Sequence, residues 1–193
     1  IDITIAITPG KQYTKWTQDA AIKNGKEVIC HMPMEPLDST LIKNQEFMLS
    51  STMNESEITV TLDSALIELP LAFGIDNYMG SKATTSPELM DLLMDYLNSC
   101  GLYFVDNLNS LESVAYVAAK NHSVPKGVRN LYLNNTAKSI RRNLDRAAKL
   151  TRKNGIIIAV GPANSAMLKA IKEYFIDQNF NNFELCFVSE ILS

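Results

Sequence analysis

Short runs of apolar, β-branched residues alternate along this chain with longer segments whose apolar residues recur at helical spacing, and that alternation limits the fold more than any other feature. Strands are predicted at 3–8, 27–30, 72–75, 102–105, 130–133, 156–160 and 184–188, seven in all. Between them Ile58, Leu62, Ala65, Leu66 and Leu69 share one helical face, and Leu89, Leu93, Tyr96, Leu97 and Cys100 share another. Each such face must cover a sheet. Strands joined by helices of this length imply right-handed crossovers and a mainly parallel sheet, either wound open or closed as a barrel. Function is then expected at the carboxyl ends of the strands.

Local chemistry marks the element boundaries. Asn54 can cap a helix while Glu57 reaches back to it, and Ser86 before Pro87 supplies a cap followed by proline in the first turn. Gly25, Gly101 and Gly155 follow helical stretches, where a left-handed residue ends a helix. One segment breaks the rhythm. Residues 37 to 53, after Pro36, form a long polar connection that is either a lid or wall of a site or a solvated surface insertion.

At 193 residues, 46% of them hydrophobic, the chain suits a single globular domain spanning 1–193. Its net charge of −3 comes without a basic run, which argues against a nucleic-acid partner. No stretch reaches the ~20 apolar residues a membrane helix needs. No basic-then-apolar leader precedes the first predicted strand, and a chain opening on Ile1 already in a strand is expected to be an excised or processed piece. Cys30, Cys100 and Cys186 are dispersed and odd in number, so each is predicted to be a small buried hydrophobe rather than a disulfide partner or metal ligand. Met90, Met94 and Met167 fit core filling. Ile140, Leu144, Ala147, Ala148 and Thr151 are the inward face of a helix whose other side carries Arg141, Arg142, Arg146, Lys149, Arg152 and Lys153.

Three segments carry a resemblance. His31-Met32-Pro33-Met34-Glu35-Pro36, Asp76-Asn77-Tyr78-Met79-Gly80-Ser81 and Tyr103-Phe104-Val105-Asp106-Asn107 each follow or end a predicted strand, and they stand in the order seen in the divergent polysaccharide deacetylases. Ile3–Pro9, Leu131-Tyr132-Leu133-Asn134, Val160-Gly161 and Val188-Ser189-Glu190 extend the resemblance over nearly the whole chain. It implies a mainly parallel, seven-stranded (β/α) barrel-like fold, with the family's first strand falling before Ile1. It also implies carbohydrate chemistry in the cell envelope or periplasm. In the wider superfamily a divalent metal on one aspartate and two histidines activates water to hydrolyse N-acetyl groups, with an aspartate base and a histidine acid.

Four departures weaken that chemistry here. The family's paired aspartates would precede Ile1. Tyr78 stands where the family has a histidine, and a phenol of ordinary pKa ~10 is a poor zinc ligand at neutral pH. Asn134 replaces an aspartate, and Pro162 falls where a histidine is expected. Only His31 and His122 are present in the chain, and His122 lies in a loop expected at the far end of the strands, as a surface residue.

His31 and Asp106, each closing a predicted strand, are the candidate catalytic residues. Glu35, Asp76, Asn77, Tyr78 and Ser81 are the candidate substrate-binding residues, and no metal ligand is assigned. Each also has a plainer reading: a buried hydrogen-bonded histidine, a carboxylate capping nearby backbone, a turn held by its own polar side chains. Gly74, Gly80 and Gly161 are single glycines without phosphate-loop spacing. Three functional readings follow. The first is a deacetylase-like domain, degenerate in metal catalysis, that binds a glycan or another envelope component without a cofactor. The second is an active zinc-dependent hydrolase whose base and metal aspartates lie upstream. The third is an envelope interaction module with no small ligand.

Overall fold

In the computed structural model, residues 1–133, 137–177 and 184–192 are described. The chain divides into two compact units, one built on Thr4–Val128 and the other on Arg129–Ile191. The first carries β1 (Thr4–Ile7), α1 (Thr14–Lys23), β2 (Glu27–Met34), α2 (Glu55–Glu68), β3 (Gly74–Met79), α3 (Pro87–Cys100), β4 (Tyr103–Asp106), α4 (Ala115–Asn121) and the start of β5 (Lys126–Tyr132). The second carries the rest of β5, α5 (Ala137–Asn154), β6 (Ile158–Val160) and α6 (Ser165–Asp177). The six strands lie in the order β1-β2-β3-β4-β5-β6, and every neighbouring pair is parallel. A doubly wound sheet reverses its strand order at a switch point, whereas an order that never reverses is that of a barrel-like (β/α) fold.

Six strands stand where seven were expected. Residues 184–187 form no strand, and Val188–Glu190 close into a 3-10 turn. The apolar run Leu185-Cys186-Phe187-Val188 suggests a strand by composition, but no described strand pairs with it. Two other strands are displaced from their predicted places. β3 begins at Gly74 and runs on through Asp76-Asn77-Tyr78, and β5 begins at Lys126, because ladder pairing with a neighbour holds polar residues that an apolar count passes over.

Helix boundaries follow the capping chemistry. The Asn54 side chain accepts from the Glu57 N–H while the Glu57 carboxylate accepts from the Asn54 N–H, a complete capping box on α2. Ser86 caps α3 ahead of Pro87, and Gly101 ends that helix in the left-handed conformation. The core of the first unit lies between one face of the sheet, with Cys30, Met32, Ile75 and Phe104, and the buried faces of α2 (Ile58, Leu62, Ala65) and α3 (Leu89, Leu93, Leu97). Each fully buried aliphatic side chain there contributes about 1.5–3 kcal/mol. In the second unit Ile140 and Leu144 of α5 cluster with Met167 and Tyr174 of α6. Met90, Met94 and Met167 are core residues, as expected. Of the cysteines only Cys30 is buried. Cys100, the last residue of α3, and Cys186 are exposed, contrary to expectation, since Cys100 lies past the last covered turn and Cys186 sits in irregular chain.

Strand alternation gives the sheet of the first unit a second face, carrying Glu27, Ile29 and His31 on β2, Gly74, Asp76 and Tyr78 on β3, and Tyr103 and Val105 on β4. At the amino-terminal end of that face the Tyr103 ring crosses β3 over Gly74, its register partner, and its hydroxyl donates to Glu27 at 2.7 Å. Thr4 of β1 donates to the same oxygen at 2.7 Å. Any Cβ at position 74 would collide with the ring. The glycine is what lets the tyrosine span three strands.

Candidate functional site

The carboxyl end of the same face holds the polar residues of the three motifs. Register pairs His31 with Asp76 and Pro33 with Tyr78, and the next step pairs Asp76 with Val105, so His31, Asp76 and Tyr78 share one face. Asp76 is buried, and its Oδ1 lies 2.8 Å from His31 Nδ1. Its Oδ2 accepts from Asn107 Nδ2 at 2.7 Å. Both carboxylate oxygens are therefore engaged. About 25% of the His31 side chain is exposed, and its Nε2 makes no hydrogen bond among the described residues. The half-buried Tyr78 ring lies beside it, with centroids 5.0 Å apart and planes tilted by 38°.

Burial alone would disfavour the charged imidazolium, but the Asp76 charge and hydrogen bond outweigh it and hold His31 above its ordinary pKa. When the ring is neutral, Asp76 selects the tautomer with the proton on Nδ1, which turns the Nε2 lone pair toward solvent. Below the ring, burial first and then the Asp76 charge push the Cys30 thiol far up, so it stays protonated and inert. The chain leaves β3 through a strained corner: Met79 has φ +59° and Gly80 φ +87°. Asn77 Nδ2 donates to the Met79 carbonyl at 3.0 Å, and this bond holds the turn that follows Tyr78.

The other candidate residues are committed to building the mouth. Glu35 accepts from Lys82 Nζ on one oxygen, at 2.8 Å, and on the other from Ser50 Oγ, Ser51 N–H and Ser51 Oγ. Burial opposes this charge, but those donors hold the carboxyl at about 2. Glu35 thus bolts the long 37–53 connection to the turn after β3, and Ser81 Oγ accepts from the Leu37 N–H to the same end. Asp106 lies on the helix-facing side of β4. Its oxygens accept from the Leu108 N–H and from Ser113 Oγ, so it shapes the loop before α4 and does not meet His31. Asn77 Oδ1 accepts from the Asn107 N–H at 2.8 Å. Asn107 is the residue that the sequence reading left without a role, and the alternation Tyr103-Val105-Asn107 is the signal that places it on the His31 face. His122 follows α4, away from this mouth, with its two ring nitrogens against Asp95 and Asp91.

A family model described as "Divergent polysaccharide deacetylase" matches residues 1–192. The chain belongs to that family. Divergent deacetylase relatives include an uncharacterized protein of Haemophilus influenzae, 31% identical over 174 residues covering 88% of this chain and 61% of that protein. The uncharacterized protein YibQ of Escherichia coli is 31% identical over 173 residues, covering 89% of this chain and 54% of YibQ. The chain thus spans little more than half the length of these curated relatives. The crystal structure of uncharacterized protein ATU2773 from Agrobacterium tumefaciens superposes with a TM-score of 0.83 at 20% identity, over 98% of this chain and 88% of that one, which shows the shared fold.

The divalent metal associated with the wider superfamily does not fit the described residues of this family member. No three His, Cys, Asp or Glu side chains among them converge to hold an ion. At the mouth His31 offers one nitrogen, Asp76 has both oxygens occupied, and position 78 supplies a phenol. Asn134 lies outside the described residues. Among the described residues no helix is long and apolar enough to cross a membrane.

Proposed function

We propose that this divergent deacetylase domain binds a glycan through the His31–Tyr78 mouth, without a metal. One observation carries the reading: a partly exposed imidazole, held by its Nδ1 against a buried carboxylate, presents an unengaged Nε2 beside an aromatic ring. A sugar offers what such a pair recognises. Its apolar face packs on a tyrosine ring, and a hydroxyl donates to a neutral Nε2 or accepts from a protonated one. Glu35, Ser81 and Asn77 act behind these groups by fixing the loops that frame them.

A second reading is supported by the length of the relatives. The domain spans 61% and 54% of two of them, so paired aspartates on a preceding strand would make this a metal-dependent hydrolase of N-acetylated glycans. Calorimetry and acetate assays on an N-acetylated oligosaccharide separate the two. The proposal expects binding with no acetate released, and Tyr78→Ala should weaken affinity by about 1 kcal/mol, roughly fivefold. Acetate release by the wild type, with about one zinc per chain on elemental analysis, would establish the hydrolase instead. Unchanged affinity in the alanine variant would remove Tyr78 from the binding surface.

A further inference from the structure

We propose that Asn107 is the positioning residue of this mouth: by fixing the Asp76 carboxylate it sets the tautomer and direction of the His31 ring. The inference rests on the reading that His31 Nε2 is the group the mouth presents.

The geometry is a three-residue relay from β2 through β3 to the residue that follows β4. Asp76 on β3 divides its two oxygens between Nδ1 of His31 on β2, 2.8 Å away, and Nδ2 of Asn107 just after β4, 2.7 Å away. Asp76 and Asn107 are only 2% and 4% exposed, which leaves no solvent-filled space in which the carboxylate could turn. The amide orientation is fixed by chemistry, because Nδ2 also donates to the Asn77 carbonyl at 2.9 Å, and a flipped amide would set its oxygen against two acceptors. The Asn107 backbone is tied in turn through its N–H to Asn77 Oδ1.

Asn107 Oδ1 is buried and makes no hydrogen bond among the described residues. A side chain needed only to fill this space would be better apolar, since a buried carbonyl oxygen without a partner is costly. The donor end of the amide is therefore what the position uses. With one oxygen occupied by Asn107, Asp76 keeps the other aimed at His31 Nδ1, and the neutral imidazole must carry its proton there.

The chain has only two histidines, so the relay can be read directly by nitrogen–proton correlation spectra of the imidazoles in the ligand-free protein. In the wild type, neutral His31 should be the Nδ1–H tautomer. In Asn107→Ala it should become a mixture with a substantial Nε2–H population, while His122, on different elements, keeps its wild-type signals and reports that the fold is intact. A wild-type His31 already in the Nε2–H form overturns the proposal whether or not any variant folds. So does an unchanged Nδ1–H tautomer in Asn107→Ala, or in Asn107→Ser should the alanine variant not fold. No sugar is present in this experiment, so its outcome is independent of the glycan-binding test: a correct tautomer with no glycan affinity would sink the binding reading and leave the relay standing.

Discussion

His31 and His122 show how the same side chain takes different work from its surroundings. His31 pairs with one buried carboxylate and keeps a nitrogen for the mouth. His122 sits between Asp95, at 2.6 Å, and Asp91, at 3.1 Å, one turn apart on α3, and both nitrogens are used. Burial slightly opposes its charge, but the two hydrogen-bonded aspartates hold its pKa above the ordinary value. Because the folded value is raised above the unfolded ~6.5, the stability this clamp contributes is fully present below about pH 6.5 and is lost as pH rises through the folded value. His122→Gln should therefore cost most near pH 5–6, about 1 kcal/mol or less for so exposed a cluster, and progressively less toward alkaline pH. Urea melts of both proteins across that range check it, and a difference that grows with pH would reverse the assignment. His31 shifts the same way but cancels in the comparison. The sequence placed His122 far from the mouth from its position after a helix, but nothing in it announced the aspartates, since a contact between helices depends on their packing.

Among the elements, β3 does the most to position the site, because it carries Gly74, Asp76 and Tyr78 on one face. Gly74→Ala pushes a methyl into the Tyr103 ring and should destabilise by about 1–3 kcal/mol, the usual cost of overpacking. The same substitution in a Tyr103→Ala background should cost clearly less, since the ring is the obstacle; equal costs in the two backgrounds, measured by chemical denaturation, would count against the packing argument. Here sequence reading reached its limit for a physical reason. Alternation shows which residues of one strand share a face, but only the register between strands shows which faces meet. The choice of Asp106 over Asn107 is the instance: Asp106 ends β4 and Asn107 follows it, and pairing of Val105 with Asp76 puts Asn107, not Asp106, against the carboxylate that holds the histidine. Caps were more legible because their chemistry is complete within four residues, as at Asn54 and Glu57.

At the scale of the molecule, the repeated strand–helix pattern and three motifs sufficed for the fold class and the family, because both are written in local periodicity and order. The strand count was less legible, since an apolar run such as 184–188 has the composition of a strand whether or not a neighbour pairs with it. The long 37–53 connection could not be placed from sequence at all. In the structure it returns to the sheet at Leu49, whose N–H donates to the Pro33 carbonyl and whose carbonyl accepts from the Glu35 N–H, a parallel bridge alongside Met34. β3 pairs with β2 on the other edge and β1 ends opposite Cys30, so Leu49 continues the place that β1 gives up. Pro33, which has no N–H to offer, is tolerated inside β2 because only its carbonyl is asked for on that edge. A connection sewn into the ladder in this way cannot swing as a door on nanosecond hinges; exposing the mouth further means unzipping part of the sheet, a rarer and slower event. Amide hydrogen exchange should accordingly show Leu49 and Glu35 protected like the interior of β2 while residues 39–44 exchange freely, and any ligand that enters must fit the opening as it stands.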